Sequence, residues 1–172
     1  MMERIEIRVL TDSDAAAWWH IRLESLENEP LAFGKATEEH RETTIEAAAR
    51  RFRETRKGSF HLGAFEDDNL IALASFIRDT GLKERHKGRI FGVYVTPAHR
   101  RKGVARALLV VLVEIVKRDS SLEQILLSVA TCQSAAKQLY RDFGVETYGT
   151  EPNALKLDSG YVDEDQMVLR LR

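Results

Sequence analysis

Along the chain the spacing of apolar residues changes period several times, and each change marks an element. Residues 6–10 alternate as a strand does. Thr11 or Ser13 can cap a helix running to about Glu27, in which Ala16, Trp19, Leu23 and Leu26 recur on one face, and Pro30 ends it. Ala, Arg and Glu in residues 45–55 predict a second helix. The period then drops to two. Residues 60–65 and 70–76 flank Glu66-Asp67-Asp68-Asn69, which predicts a hairpin, and residues 89–95 form a further strand stopped by Pro97. Residues 102–118 are helical and apolar almost all round, as a helix laid on a sheet requires. Residues 125–129 read as a short buried strand, and residues 134–143 as a helix closed by Gly144. Strands at 155–158 and 167–171, with a turn at Asp158-Ser159-Gly160, complete the pattern. The order β-α-α-β-β-β-α-β-α-β-β gives a mixed α/β fold. Strands 89–95 and 125–129, joined through one helix, are expected to be parallel neighbours with a right-handed crossover.

No repeat, low-complexity tract or linker interrupts the 172 residues, so one domain over 1–172 is expected. With 44% hydrophobic and 31% charged residues the chain is not disordered. The net charge of −1 is no footprint for nucleic acid or an anionic membrane. One cysteine, Cys132, excludes a disulfide framework and fits a reducing compartment. With no base partner in the pattern, its thiol is expected to be buried and inert. The start, Met1-Met2-Glu3-Arg4-Ile5-Glu6, is charged where a signal peptide needs an apolar run. The longest apolar run, 107–113, stops at Glu114, far short of a membrane span. Together these predict a cytoplasmic protein. The histidines His20, His40, His61, His86 and His99 have no metal-ligand spacing, and no Walker loop or G-x-S-x-G elbow occurs. Arg100-Arg101-Lys102 lacks the aromatic interleaving of a nucleic-acid surface.

Local charge changes this picture. Residues 81–106 hold eight basic residues against Glu84, a net of +7. Residues 12–46 carry −6 and residues 145–166 carry −5. Within the basic segment, the strand ending Val93-Tyr94-Val95 meets Pro97, and Arg100, Arg101, Lys102 and Gly103 open directly into the helix that begins Val104-Ala105-Arg106. The first amides of a helix lack internal partners and lie at the positive end of its dipole. A glycine among basic residues there makes either an anion site suited to phosphate or an ordinary basic helix start.

The run Arg100-x-x-Gly103-x-Ala105 after that strand resembles the acetyl-CoA motif of the GCN5-related N-acetyltransferase (GNAT) family, written Q/R-x-x-G-x-G/A. Downstream, Ala136-Lys137-Gln138-Leu139-Tyr140-x-x-x-Gly144-Val145 matches the family's N-x-x-A-x-x-L-Y-x-x-x-G-F block in order and spacing. Gln133 replaces the usual Asn and Val145 the usual Phe. The resemblance implies a mostly antiparallel mixed sheet with splayed parallel central strands, flanked by helices. It also implies acetyl-CoA as cosubstrate. The pyrophosphate would sit on the amides of residues 101–106, and Gln133 would contact the cofactor. The pantetheine arm would pair with the backbone of Val93, Tyr94 and Val95 as an added strand.

The implied reaction is direct attack by an amine on the thioester, with Tyr140 protonating the departing thiolate. Periodicity alone favours Tyr140 as an aromatic on the inner face of its helix, beside Ala136 and Phe143, and the acid role is what the resemblance implies. For the base, Tyr94, His61, Glu66, Asp79 and a water chain are all open. Trp18 and Trp19 are expected in the core or on a pocket wall. The acceptor is a small-molecule amine, or a lysine or N-terminus of a protein. The acidic segments would wall its mouth, which predicts a cationic acceptor. The alternative is a non-catalytic acyl-CoA-binding sensor or regulatory module. Val110 and Val113, on the outer face of their helix, suit either a homodimer contact or a covering loop.

Overall fold

The computed structural model describes residues 5–172. Residues 1–4, on which the reading of the start as too charged for a signal peptide rests in part, lie outside the described residues. The strands are β1 (Ile5–Val9), β2 (Phe60–Glu66), β3 (Asn69–Arg78), β4 (Lys87–Val95), β5 (Gln124–Ala130), β6 (Glu146–Leu157) and β7 (Gly160–Arg170). The helices are α1 (Ala15–Asn28), α2 (Thr37–Arg41), α3 (Ile45–Arg53), α4 (Val104–Lys117) and α5 (Ser134–Asp142). The strands form one mixed sheet in the order β1-β2-β3-β4-β5-β7-β6. Every neighbouring pair is antiparallel except β4 and β5, which α4 joins as a crossover. The predicted order is present with one further helix, α2, and the parallel central pair is present as expected.

Each face of the sheet has its own core. On one, α4 and α5 cover Phe76, Ile125 and Met167, with Leu108 and Leu112 of α4 fully buried. On the other, α1 and α3 bring Trp18, Ile21 and Phe52 onto Phe65, Leu73 and Tyr94. The apolar circumference read in residues 102–118 thus belongs to a helix sunk into the larger core.

Five expectations need correction. The buried positions of α1 are Ala15, Trp18, Ile21, Ser25 and Leu26, and Ala16 is exposed. A short 3-10 turn at Asp12–Asp14 precedes the helix, and Asp14 accepts two 2.8 Å hydrogen bonds from the Arg8 guanidinium and one from the Thr11 amide. That anchor sets the helix rotation, so Trp18 faces the sheet. Trp19 turns sideways, stacks on His40 and donates to the Thr43 carbonyl at 2.6 Å. Secondly, α2 was not anticipated, since five residues are too few to display a period. Thirdly, β6 and β7 are far longer than the strands read at 155–158 and 167–171. β6 is an edge strand exposed along most of its length, so no alternation marks it. Fourthly, Cys132 is exposed, in the turn between β5 and α5. Finally, the outer face of α4 is less apolar than supposed, because Val113 packs against the core and Val110 alone is exposed. Among the described residues, no helix is long and apolar enough to cross a membrane.

Candidate active site

The central strands part company early. β4 and β5 pair only where Lys87, Gly88 and Arg89 face Gln124, Ile125 and Leu126. Further along, β4 carries a bulge against β3: Leu73 faces Tyr94 while Ser75 faces Phe91, so three steps on β4 match two on β3. Gly92 takes up the irregularity in the left-handed region, at φ 62°. A bulge bends and twists its strand. From there Tyr94 and Val95 stay paired with β3, and Val93 to Val95 leave their β5-facing edge open. The gap is a cleft of about 450 Å³ between Val93, Leu127, Val129, Tyr140 and Glu164, roofed by Phe33 and Gly34 from the loop after α1.

A second cleft, about 540 Å³, continues from it past Val93, Gln133, Ala136 and Tyr140 to the start of α4. Its walls hold Val93, Tyr94, Val95, Arg100, Arg101, Gly103, Val104, Ala105, Arg106 and Gln133. The sequence-predicted cofactor residues therefore converge on one groove, with Lys102 the exception off its wall. Arg101 and Gly103 have φ of 60° and 81°. Left-handed residues in such a turn aim successive amides to one side, as in an anion nest. The first main-chain bond of α4 runs from Ala107 to the Gly103 carbonyl at 3.0 Å, which leaves the amides of Val104, Ala105 and Arg106 without helical acceptors. A Cβ built on Gly103 would meet nothing within 4 Å, so the space in front of these amides is open. Arg101 and Lys102 form no ion pair among the described residues. Arg100 is committed otherwise: it pairs with Glu29 at 2.8 Å and donates to the Val95 carbonyl at 3.0 Å, tying the end of α1 to the end of β4.

Tyr140 borders both clefts. Burial alone pushes its phenol up to about 12. Among the described residues its hydroxyl has no hydrogen-bond partner, and no buried side-chain oxygen or nitrogen lacks one. The hydroxyl oxygen is therefore on the cleft surface: a dry ring with a protonated tip facing the gap. Gln133 precedes α5 at the same junction.

The candidate bases are scattered. The Tyr94 hydroxyl donates to Glu24 at 2.7 Å and receives Asn28 at 3.1 Å, and burial holds its pKa up. Glu66 lies 2.9 Å from His99 Nε2, and Asp79 is near Arg89 at 3.8 Å. His61 lines a third pocket, about 410 Å³, between α1, α3 and the sheet, with its Nδ1 2.7 Å from Ser75 Oγ. The carboxylate that does share the central cleft with Tyr140 is Glu164, which the sequence reading passed over. Burial, then the charge of Glu151 opposite it, raises its pKa. Only its place on β7, two strands from β4, brings it there, so no motif could have shown it.

The charge expectation also changes. Of the acids in residues 12–46, Glu29 alone reaches the cleft walls, and it is paired with Arg100. Asp12 and Glu46 bind Arg53, Asp14 binds Arg8, Glu27 binds Arg41, and Glu24 binds Tyr94. In their place the inner walls carry Arg22, Lys35 and Arg89, and the adjoining pocket carries Arg51 and Arg56 beside Glu54. Of the two acidic segments, residues 12–46 thus bring only the paired Glu29 to the clefts, while residues 145–166 bring Glu164, with Glu151 opposite it on β6.

Residues 16–145 match the model of the acetyltransferase (GNAT) family. No curated protein matches the chain in sequence. Solved structures do match in shape. A GNAT-family acetyltransferase from Streptococcus pneumoniae superposes with a TM-score of 0.88 at 20% identity, over 97% of this chain and 99% of that one. The yncA protein of Salmonella typhimurium, solved with acetyl-CoA, gives 0.83 at 21% identity over 98% and 94%. The ribosomal-protein-alanine N-acetyltransferase of Brucella melitensis gives 0.78 at 24% identity over 96% and 99%. At these identities the likeness is one of fold.

His61 supplies a pH test of this geometry. Burial first, and the Arg51 charge second, lower its pKa to about 4. In the unfolded chain an imidazole titrates near 6.5. As pH falls the unfolded state therefore takes up the proton first, and His61 withdraws about 1.4 kcal/mol of stability per pH unit between pH ~6.5 and ~4. An NMR titration should find its ring neutral down to about pH 4; titration near 6.5 would show the pocket floor to be wet.

Proposed function

Because the chain belongs to the GNAT acetyltransferase family, we propose that its two continuous clefts carry acetyl-CoA to an amine acceptor, with Tyr140 as the acid and Glu164 as the base. The observation that carries this reading is the placement of the Tyr140 tip at the junction of both clefts. The open amides of Val104, Ala105 and Arg106, with Arg101 and Lys102 nearby, take the pyrophosphate. The unpaired edge of Val93 to Val95 receives the pantetheine amides as a strand would. A backbone amide on that edge donates to the thioester oxygen as it gathers charge. Residues 1–172 act as one domain in this reading, supported by β6 and β7, which lie beyond the family match and complete the same sheet.

The bond changes are simple. The amine nitrogen bonds to the acetyl carbon, the carbon–sulfur bond breaks, Glu164 takes the proton the nitrogen sheds, and Tyr140 gives one to the thiolate. A phenol at about 12 stays protonated at neutral pH. The same dry surroundings that raise it also raise the basicity of a thiolate formed beside it, which keeps the transfer matched. A carboxylate raised by burial is likewise a better proton acceptor than an exposed one.

Three variants test the assignment. Tyr140→Phe removes an oxygen with no protein partner, so stability and coenzyme A affinity should persist while kcat falls by about 10²-fold. Undiminished turnover would return Tyr140 to a packing role. Glu164→Gln should lower kcat/KM and erase the acid limb of its pH profile; an unchanged limb would exclude Glu164 as the base. Gly103→Glu places a negative side chain in front of the free amides, and calorimetry should show coenzyme A binding weakened by about 10²-fold or more. Unaltered affinity in that folded variant would remove the helix start from the site.

A further inference from the structure

Arg22, Lys35 and Arg89 are cations of the central cleft that the reaction as written does not use. Arg89 faces Asp79 at 3.8 Å and Lys35 donates to Thr43 Oγ1 at 3.3 Å, which leaves Arg22. It projects from α1 onto the bulge of β4, where one guanidinium nitrogen lies 3.7 Å from the place a Cβ on Gly92 would occupy. The guanidinium lies over the Phe33 ring, 4.4 Å from its centroid, and its one side-chain hydrogen bond goes to Ser25 Oγ at 3.3 Å. Among the described residues it has no carboxylate partner. The neighbouring acids of the same helix end are all engaged elsewhere: Glu24 with Tyr94, Glu27 with Arg41 and Glu29 with Arg100.

A guanidinium has five N–H donors in a rigid planar fork, so most of this one remains free. Burial, with Arg51 nearby, lowers its pKa to about 10, the mark of a cation held without compensation. Holding a charge in this way is costly unless something pairs with it. The flat fork, supported on one face by an aromatic ring, matches a carboxylate in two-point contact. The anion it awaits is not the coenzyme's pyrophosphate, because Arg22 borders the central cleft and the α3 pocket but not the groove at Gly103.

The geometry points to an acceptor that carries a carboxylate as well as its amine, an amino-acid-like zwitterion whose carboxylate docks on Arg22. Its amine then faces the side of the cleft that holds Glu164 and Tyr140. Its remaining atoms have the adjoining pocket, where Trp18, Leu73, Ile77 and Phe91 provide apolar wall. This assignment rests on the acetyl-transfer reading of the same cleft and names the substrate class for it.

The test compares free amino acids with their own amides, across apolar, polar and charged side chains, so that only the carboxylate differs. With acetyl-CoA, kcat/KM for the preferred free acid should exceed that of its amide by about 10²-fold, mostly through KM. In Arg22→Met this preference should collapse, with Arg22→Lys intermediate and coenzyme A affinity unchanged in both. Equilibrium binding of the same acid and amide pairs to the protein, with and without coenzyme A, gives a readout that needs no turnover. Tighter binding of the acid that Arg22→Met abolishes supports the site even where acetyl transfer fails. Equal binding or equal acetylation of acid and amide by the unaltered protein overturns it, as does a preference that survives Arg22→Met.

Discussion

The irregularity at Gly92 is the constraint on which the site depends. An unbroken β4 would pair with β5 along its length, and the backbone edge of Val93 to Val95 would be consumed by the sheet. One extra residue, held at a positive φ that favours glycine, bends β4 away after Arg89. The sheet then holds an interior edge in place of a hydrogen-bonded seam. The two cores keep that edge from closing. Phe76, Leu112, Ile125 and Met167 fix the strands from the α4 side, while Trp18 and Phe52 hold the other face.

Around the gap, groups with different tasks have been given different degrees of contact with water. Tyr140 is dry and stays protonated, whereas the α4 amides open onto free space and can receive a large charged group. Glu164 is partly dry and raised. His61, dry and beside Arg51, is held neutral. Tyr94 shows how one residue serves two ends: its backbone borders the groove and its ring is core, with the hydroxyl tethered to α1 through Glu24 and Asn28. Arg100 adds a second tether, from β4 to Glu29, so the loop that roofs the cleft is fixed to the strand that lines it.

Much of this was legible in the amino-acid order. The parallel pair, the α4 crossover, the glycine Gly103 at a helix start and the Ala136 to Val145 block all lie within contiguous segments, where short-range sterics and hydrogen bonding leave few choices. The groove residues Val93 to Arg106 belong to one strand-turn-helix unit, and such a unit is readable because its parts are neighbours in the chain.

What the tertiary structure alone decided was which distant groups meet and which charges survive. Glu164 joins Tyr140 because β7 inserts between β5 and β6. The acids in and around α1 pair with Arg8, Arg41, Arg53 and Arg100, while Arg22, one of three cations in that acidic segment, has no carboxylate partner among the described residues. Sequence counts charges, but an electrostatic field depends on which of them are paired and how far each is from water. That is why the order of residues determined the fold and the groove at the start of α4, whereas the charge of the central cleft waited on packing.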